Sequence, residues 1–159
     1  MGASAKTRYR SDLALAAILL GLPVLLFWKV VFAGEVLFWG TPLLQFFPWR
    51  SFAVASYLAG EVPLWNPYLG NGAPFAANWQ SAVFYPLNVI YLLFPVERAM
   101  GYSVVLHVGL AGLFTYVFGR VLGLSRFGSF VAGVSYALGG FVVSRAGFLS
   151  MTSTAPWLP

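Results

Sequence analysis

"LALAAILLGLPVLLFWKVVF", residues 13–32, is a run of twenty residues without one acidic side chain. As a helix rising 1.5 Å per residue it is about 30 Å long, the thickness of a bilayer's hydrocarbon core. A membrane span is the expected reading, and the rest of the chain agrees with it. Of 159 residues 60% are hydrophobic, 18% aromatic and only 8% charged, with a mean hydropathy of +0.81, whereas a soluble domain carries roughly 25% charged residues. Pro23 is expected to kink this span. Lys29, near its far end, either snorkels to the interface or holds an anionic head group. Lys6, Arg8 and Arg10 precede the run, which by the positive-inside rule keeps the N-terminus cytoplasmic. A signal peptide cleaved after Val31-Phe32-Ala33 competes, but the length of the run and Lys29 favour a retained helix.

Composition also excludes functions. The chain has no cysteine, which removes disulfides, thiolate chemistry and Cys-based zinc sites. One His and four acidic residues are too few for a dedicated metal cage. No cofactor is identified, and a divalent cation stays open only for a longer protein. The net charge is +5, but the basic residues are scattered along the chain, so no nucleic-acid partner is expected.

Working outward, the expected organisation is an all-α polytopic membrane protein with about three spans. Residues 1–12 form a basic cytoplasmic tail and 13–32 the first span. Residues 33–98 form an outer loop with helices along the membrane surface at about 42–59 and 81–94, the second one surface-lying or half-inserted. Thr41-Pro42 reads as an N-cap with proline at the first helical position, Pro48 as a bend, and Gly60 as a C-terminal stop. Residues 99–119 are the second span, 120–127 a cytoplasmic turn carrying Arg120 and Arg126, and 128–144 the third span. There Gly133, Gly139 and Gly140 are expected to let helices approach closely. Residues 145–159 are an outer segment, and the chain reads as the N-terminal part of something larger.

The stretch 62–88, "VPLWNPYLGNGAPFAANWQSAVFYPLN", is dense in Pro, Gly, Asn and Trp. Irregular backbone is not tolerated in lipid, where each unpaired amide costs several kcal/mol, so this loop lies at the interface, outside, or against protein. Side-chain amides can hydrogen-bond sugar hydroxyls, and aromatic faces can cover pyranose rings. Trp65, Trp79, Asn66, Asn78 and Gln80 are therefore candidate binding residues, as against an interfacial aromatic belt with amides that cap turns. His107, mid-span, is either functional or a neutral imidazole satisfied by a neighbouring helix. Arg145 either binds lipid phosphate or snorkels.

Three segments, "FWGTPLLQFFPWRSFA", "GEVPLWNPYLGNGAPFAANWQSAVFYPLNVIYLLFP" and "LHVGLAGLFTYVFGRVLGLSR", resemble the N-terminal region of the YfhO-like bacterial membrane proteins, regarded as glycosyltransferases of the GT-C superfamily. The resemblance covers most of residues 30–159. It implies a GT-C-like fold and a polyprenyl-phosphate-linked sugar donor. It also implies a cell-envelope acceptor, a glycan or a teichoic-acid-like polymer, glycosylated on the outer face of the bacterial cytoplasmic membrane. In such enzymes an acidic residue of the first outer loop deprotonates or orients the acceptor hydroxyl, and a cation such as Arg50 would meet the leaving lipid phosphate. Many members read Gly-Asp where this chain has Gly40-Thr41. Threonine is no general base at neutral pH, so either Glu35 or Glu61 substitutes, or a residue elsewhere does, or this member is inactive. The alternative is a non-catalytic membrane protein that binds lipid-linked glycan or scaffolds envelope-polymer assembly.

Overall fold

The computed structural model describes residues 3–37 and 40–159, with side chains from residue 9 onward. Phe38 and Trp39 of the first resembling segment, and the side chains of Lys6 and Arg8, lie outside the described residues. The described chain is mostly helix with almost no strand, and three of its helical segments are long and apolar enough to cross a membrane: Tyr9–Leu26, Val96–Val121 and Arg126–Ser144.

The first segment belongs to α1 (Ala3–Leu26), which runs back into the expected tail, and is followed by α2 (Trp28–Phe32). The interruption falls at Phe27, not at Pro23 itself. Pro23 lacks a donor and crowds the turn before it, yet its carbonyl still accepts from the Phe27 amide at 2.9 Å. The second segment is α5 (Val96–Val121) and the third is α6 (Arg126–Ala137) continued by α7 (Gly140–Ser144). Gly139 is the extended residue that starts α7, and Gly140 has open space around its Cα. Of the three glycines expected at a helix contact, only Gly133 is at one.

That contact explains the bundle. Ser129, Gly133 and Ala137 recur every fourth residue on α6, forming one small-residue stripe against α5. A Cβ on Gly133 would lie 2.7 Å from the Gly112 carbonyl oxygen, and one on Gly119 would lie 2.9 Å from Ser129 Oγ. Such close backbone approach maximises dispersion contact where lipid offers no hydrophobic drive. The same side of α5 receives α1 and α2 in antiparallel order, with Leu19 at Gly112, Leu20 at Gly109 and Val30 at Gly101. Between α5 and α6 the turn is set by Gly123, at φ +86. The Leu124 amide donates to Gly119 O and the Gly123 amide to Arg120 O, a Schellman closure, and Ser125 Oγ then caps α6 by accepting from the Gly128 amide at 3.0 Å. At this turn end Asp12 Oδ1 accepts from Tyr116 Oη at 2.5 Å and Arg126 Nε at 3.0 Å, with Arg120 Nε 3.6 Å away. One carboxylate ties the start of α1 to the end of α5 and the start of α6.

The region between α2 and α5 folds at the opposite end. Residues Pro42–Phe46 form a π-helical turn that passes into α3 (Phe47–Leu58). Pro48 cannot donate, so a regular α register has no bond to offer there, and the wider turn absorbs the fault. Pro42 takes the first helical position as expected, but the Thr41 side chain makes no capping bond. Gly60, at φ +79, ends α3 as expected. A two-residue hairpin pairs β1 (Trp65–Asn66) with β2 (Ala73–Pro74). The continuous helix expected at 81–94 is instead a 3-10 turn at Trp79–Ser81, another at Pro86–Val89 and α4 (Ile90–Leu93). Ala82 is left-handed, at φ 49, and Pro86 offers no donor, so no α-helix can run through.

Residues 145–159 are the expected outer segment. They form α8 (Leu149–Thr154) and a 3-10 turn at Ala155–Trp157, and both pack back along α5, with Trp157 5.5 Å from the Phe114 ring.

Candidate functional site

The loop end has its own small core. Phe75 is buried beneath Trp49 and Phe52, with ring centroids 6.2 and 5.1 Å away in edge-on geometry. Burying a phenylalanine stabilises by roughly 1.5–3 kcal/mol relative to exposure, which offsets the ordering of one or two loop residues at about 1–2 kcal/mol each. α3 supplies Trp49 and Phe52 from one face, and the hairpin delivers Phe75 onto them through its amide, which donates to Leu64 O at 2.8 Å.

Arg50, one residue beyond Trp49, is only 5% exposed. Its Nη1 donates to the Ser81 carbonyl, and its guanidinium lies 5.3 Å above the Tyr91 ring. Nε has no partner. Burial pulls this guanidinium below the usual arginine range, and Tyr91 beside it opposes the shift. Nearby, Tyr57 Oη donates to Val83 O at 2.8 Å and Asn88 Nδ2 to Ala82 O at 2.7 Å. Three side chains from α3 and the 3-10 turn thus clamp the carbonyls of residues 81–83, an irregular stretch with no ladder of its own.

Beyond this clamp lies an open pocket of about 530 Å³, lined by Ala76, Ala77, Asn78, Trp79, Ala82, Val83, Phe84 and Tyr85. Trp79 is 93% exposed and Phe84 73%. Gln80 is held by Gln45 Nε2, which donates to its Oε1 at 2.5 Å. Asn78 Oδ1 accepts from the Gln80 amide at 3.1 Å, and Asn66 Oδ1 from the Tyr68 amide at 2.9 Å. Both asparagines therefore set turns, and Asn66 is buried. Trp65 stands apart from the pocket, its indole over Gly72. Of the expected binding residues, Asn78 and Trp79 line one pocket with Gln80 between them and the clamp, while Arg50 is anchored behind its wall.

Neither candidate base reaches that pocket. Glu35 is exposed and pairs with Lys29 Nζ at 3.5 Å, and Glu61 is exposed at the end of α3. Thr41 lines a second pocket of about 460 Å³ with Pro42, Ser144 and Gly147. Arg145 lies over the Phe148 ring at 5.5 Å. Among the described residues no three His, Asp or Glu side chains gather in a way that could hold a metal ion.

No protein-family model, curated protein or solved structure matches this chain. Its chemistry has to be read from its own geometry.

A chain of polar groups meets the pocket wall at Tyr85. His107 is 1% exposed on α5, about 16 Å along the helix from Val96 at 1.5 Å per residue. Its Nδ1 faces the Ser103 carbonyl at 2.6 Å. A carbonyl can only accept, so Nδ1 carries the proton and Nε2 accepts from Tyr85 Oη at 2.9 Å. Tyr85 Oη in turn accepts from Trp157 Nε1 at 3.1 Å, and its ring stacks on the imidazole at 5.6 Å. Burial pushes the Tyr85 hydroxyl up, and the Trp157 bond opposes this. The chain Trp157, Tyr85, His107, Ser103 is donor-to-acceptor throughout, the satisfied form of a buried imidazole. It joins the pocket wall, α5 and the C-terminal turn. Residue type singled out His107, but nothing in the spacing of Tyr85 or Trp157 announced them. Asp12 had a signal, since a lone acid before the first span must face the arginines of a turn expected on the same side.

Proposed function

We propose that this chain belongs to a multi-pass protein of the bacterial cytoplasmic membrane, with its N-terminus inside, that transfers sugar from a polyprenyl-phosphate-linked donor to a cell-envelope acceptor on the outer face. The observation that carries this reading is the loop pocket. An ordered wall places exposed Trp79 and Phe84 rings in one pocket with the amide of Asn78 and the hydroxyl-bearing Tyr85, the pairing of apolar face and hydrogen-bonding groups that a pyranose matches. The basic residues support the orientation, because Arg10, Arg120 and Arg126 share the end of the bundle opposite this loop.

A second reading, binding of lipid-linked glycan without transfer, draws on a specific observation: among the described residues no carboxylate lines the pocket, and Glu35 is paired with Lys29. One experiment separates the two. The purified protein, reconstituted with radiolabelled polyprenyl-phosphate sugar, is compared with Trp79→Ala, Glu35→Gln and Glu61→Gln. Transfer that disappears in a glutamine variant while donor binding persists supports the enzyme. Donor binding without transfer, weakened at least tenfold by Trp79→Ala, supports the binding protein. No donor binding at all refutes both.

A further inference from the structure

The face of the bundle away from the His107 network carries an apolar groove of about 570 Å³ between α1, α2, α4 and α5. Its floor is Gly109 and Val105, and its walls include Leu20, Val31, Phe94 and Tyr102. A groove on spanning helices faces hydrocarbon, and a void there forfeits dispersion contacts along its whole lining. From Leu20 to Val31 is eleven residues, about 16 Å of helix. That is half of a 30 Å hydrocarbon core, one leaflet deep and the reach of one acyl chain, and too short for a long polyisoprenoid.

The mouth of the groove has charge. Arg98 lies one turn before Tyr102 on the same face of α5, whereas Lys29, two residues before Val31, is turned about 200° from Val31 round the helix. Both converge on the turn at Gly34–Glu35. Lys29 Nζ is 3.5 Å from Glu35, and Arg98 Nη2 is the atom that a Cβ on Gly34 would meet, at 3.8 Å. Glu35 is shared with Lys29, and Glu97 sits about 100° round the helix from Arg98 in the first turn of α5, where an acid suits the helix dipole. Among the described residues no carboxylate forms an ion pair with Arg98, which is exposed.

We propose that this groove is a binding site for an anionic glycerophospholipid, one acyl chain lying against Gly109 and Tyr102 and the phosphate and head group at Arg98. The site goes beyond the sugar-handling reading and does not rest on it. The test is native mass spectrometry of the protein released from bilayers of equal phosphatidylglycerol and phosphatidylcholine, with and without added polyprenyl phosphate. Wild type retains one phosphatidylglycerol with about tenfold preference. Arg98→Gln keeps a lipid but drops the preference to within about twofold, and Leu106→Trp, which fills the groove, loses the lipid whatever its head group. Equal retention of both lipids by wild type overturns the proposal. So does an unchanged preference in Arg98→Gln, or displacement of the phospholipid by polyprenyl phosphate at equal concentration.

Discussion

Replacing Arg50 by Met tests whether the outer region is held together from inside. The substitution keeps an unbranched apolar side chain under Tyr91 but removes the donor to Ser81 O. Ser81 is wholly buried, so its carbonyl is left unpaired, at a cost of about 1–3 kcal/mol. Loss of the guanidinium from the Tyr91 ring adds roughly 0.5–2 kcal/mol. Against these stands the relief of no longer burying a charge with an unpartnered Nε, which returns part of the sum. The net is a local destabilisation of about 2 kcal/mol, a factor of roughly 30 in the population of the opened loop. Hydrogen–deuterium exchange in nanodiscs reads this directly. Amides such as Ser81, bonded to Asn78 O at 3.0 Å, and Ala82, bonded to Trp79 O at 3.2 Å, exchange about 30-fold faster, while those of α5 and α6 do not change. Arg50→Lys falls between, because an ammonium keeps the charge but not the planar stack. Protection in Arg50→Met within threefold of wild type would refute the clamp and leave Arg50 available as a ligand cation.

Three further outcomes follow from the packing and the buried hydroxyls. Gly133→Leu forces a side chain into the Gly112 carbonyl, 2.7 Å from its first carbon, and is expected to cost at least about 1–3 kcal/mol, measured as lost resistance to unfolding by detergent; unchanged resistance would show that α5 and α6 do not meet there. Ser129→Ala removes a buried hydroxyl that has no partner and is expected to be neutral or stabilising by up to about 1 kcal/mol, so a clear loss of stability in the same assay counts against the packing at Gly119. Burial raises the Tyr57 and Tyr85 hydroxyls above the ordinary value of 10.0, so their contribution to stability is whole below about pH 10 and is lost as pH rises through the folded values. In alkaline titration the phenolate signal lost in Tyr85→Phe should have its midpoint above pH 10, and a midpoint at or below that value contradicts the buried setting.

The spans were legible because hydrocarbon imposes a length and a composition on any helix that crosses it, and residues 13–32, 99–119 and 128–144 meet both. The stop at Gly60 was equally local: it adopts the left-handed backbone that closes a helix, a property of the residue itself. Pro42 took its place for the same kind of reason. The helix expected at 81–94 failed because apolar composition says nothing about hydrogen-bond donors, and Pro86 breaks the pattern that Ile90–Leu93 later resumes.

What only the tertiary structure decided was which polar groups meet. Arg50 finds the Ser81 carbonyl 31 residues away, Tyr85 finds His107 and Trp157, and Asp12 finds arginines more than a hundred residues on. The pairings of Arg50 and His107 are imposed by burial, since an unpaired polar group inside the fold costs more than any local preference supplies, whereas Asp12 and its arginines, about a third exposed, meet because the helix ends that carry them are brought together. Sequence determined that three segments are long and apolar enough to cross a membrane and that an irregular loop separates the first two. The folded contacts decided that the loop is a clamped wall around a pocket, because Arg50 and Tyr57 of α3 and Asn88 reach the carbonyls of residues 81–83 only once α3 and the loop pack together.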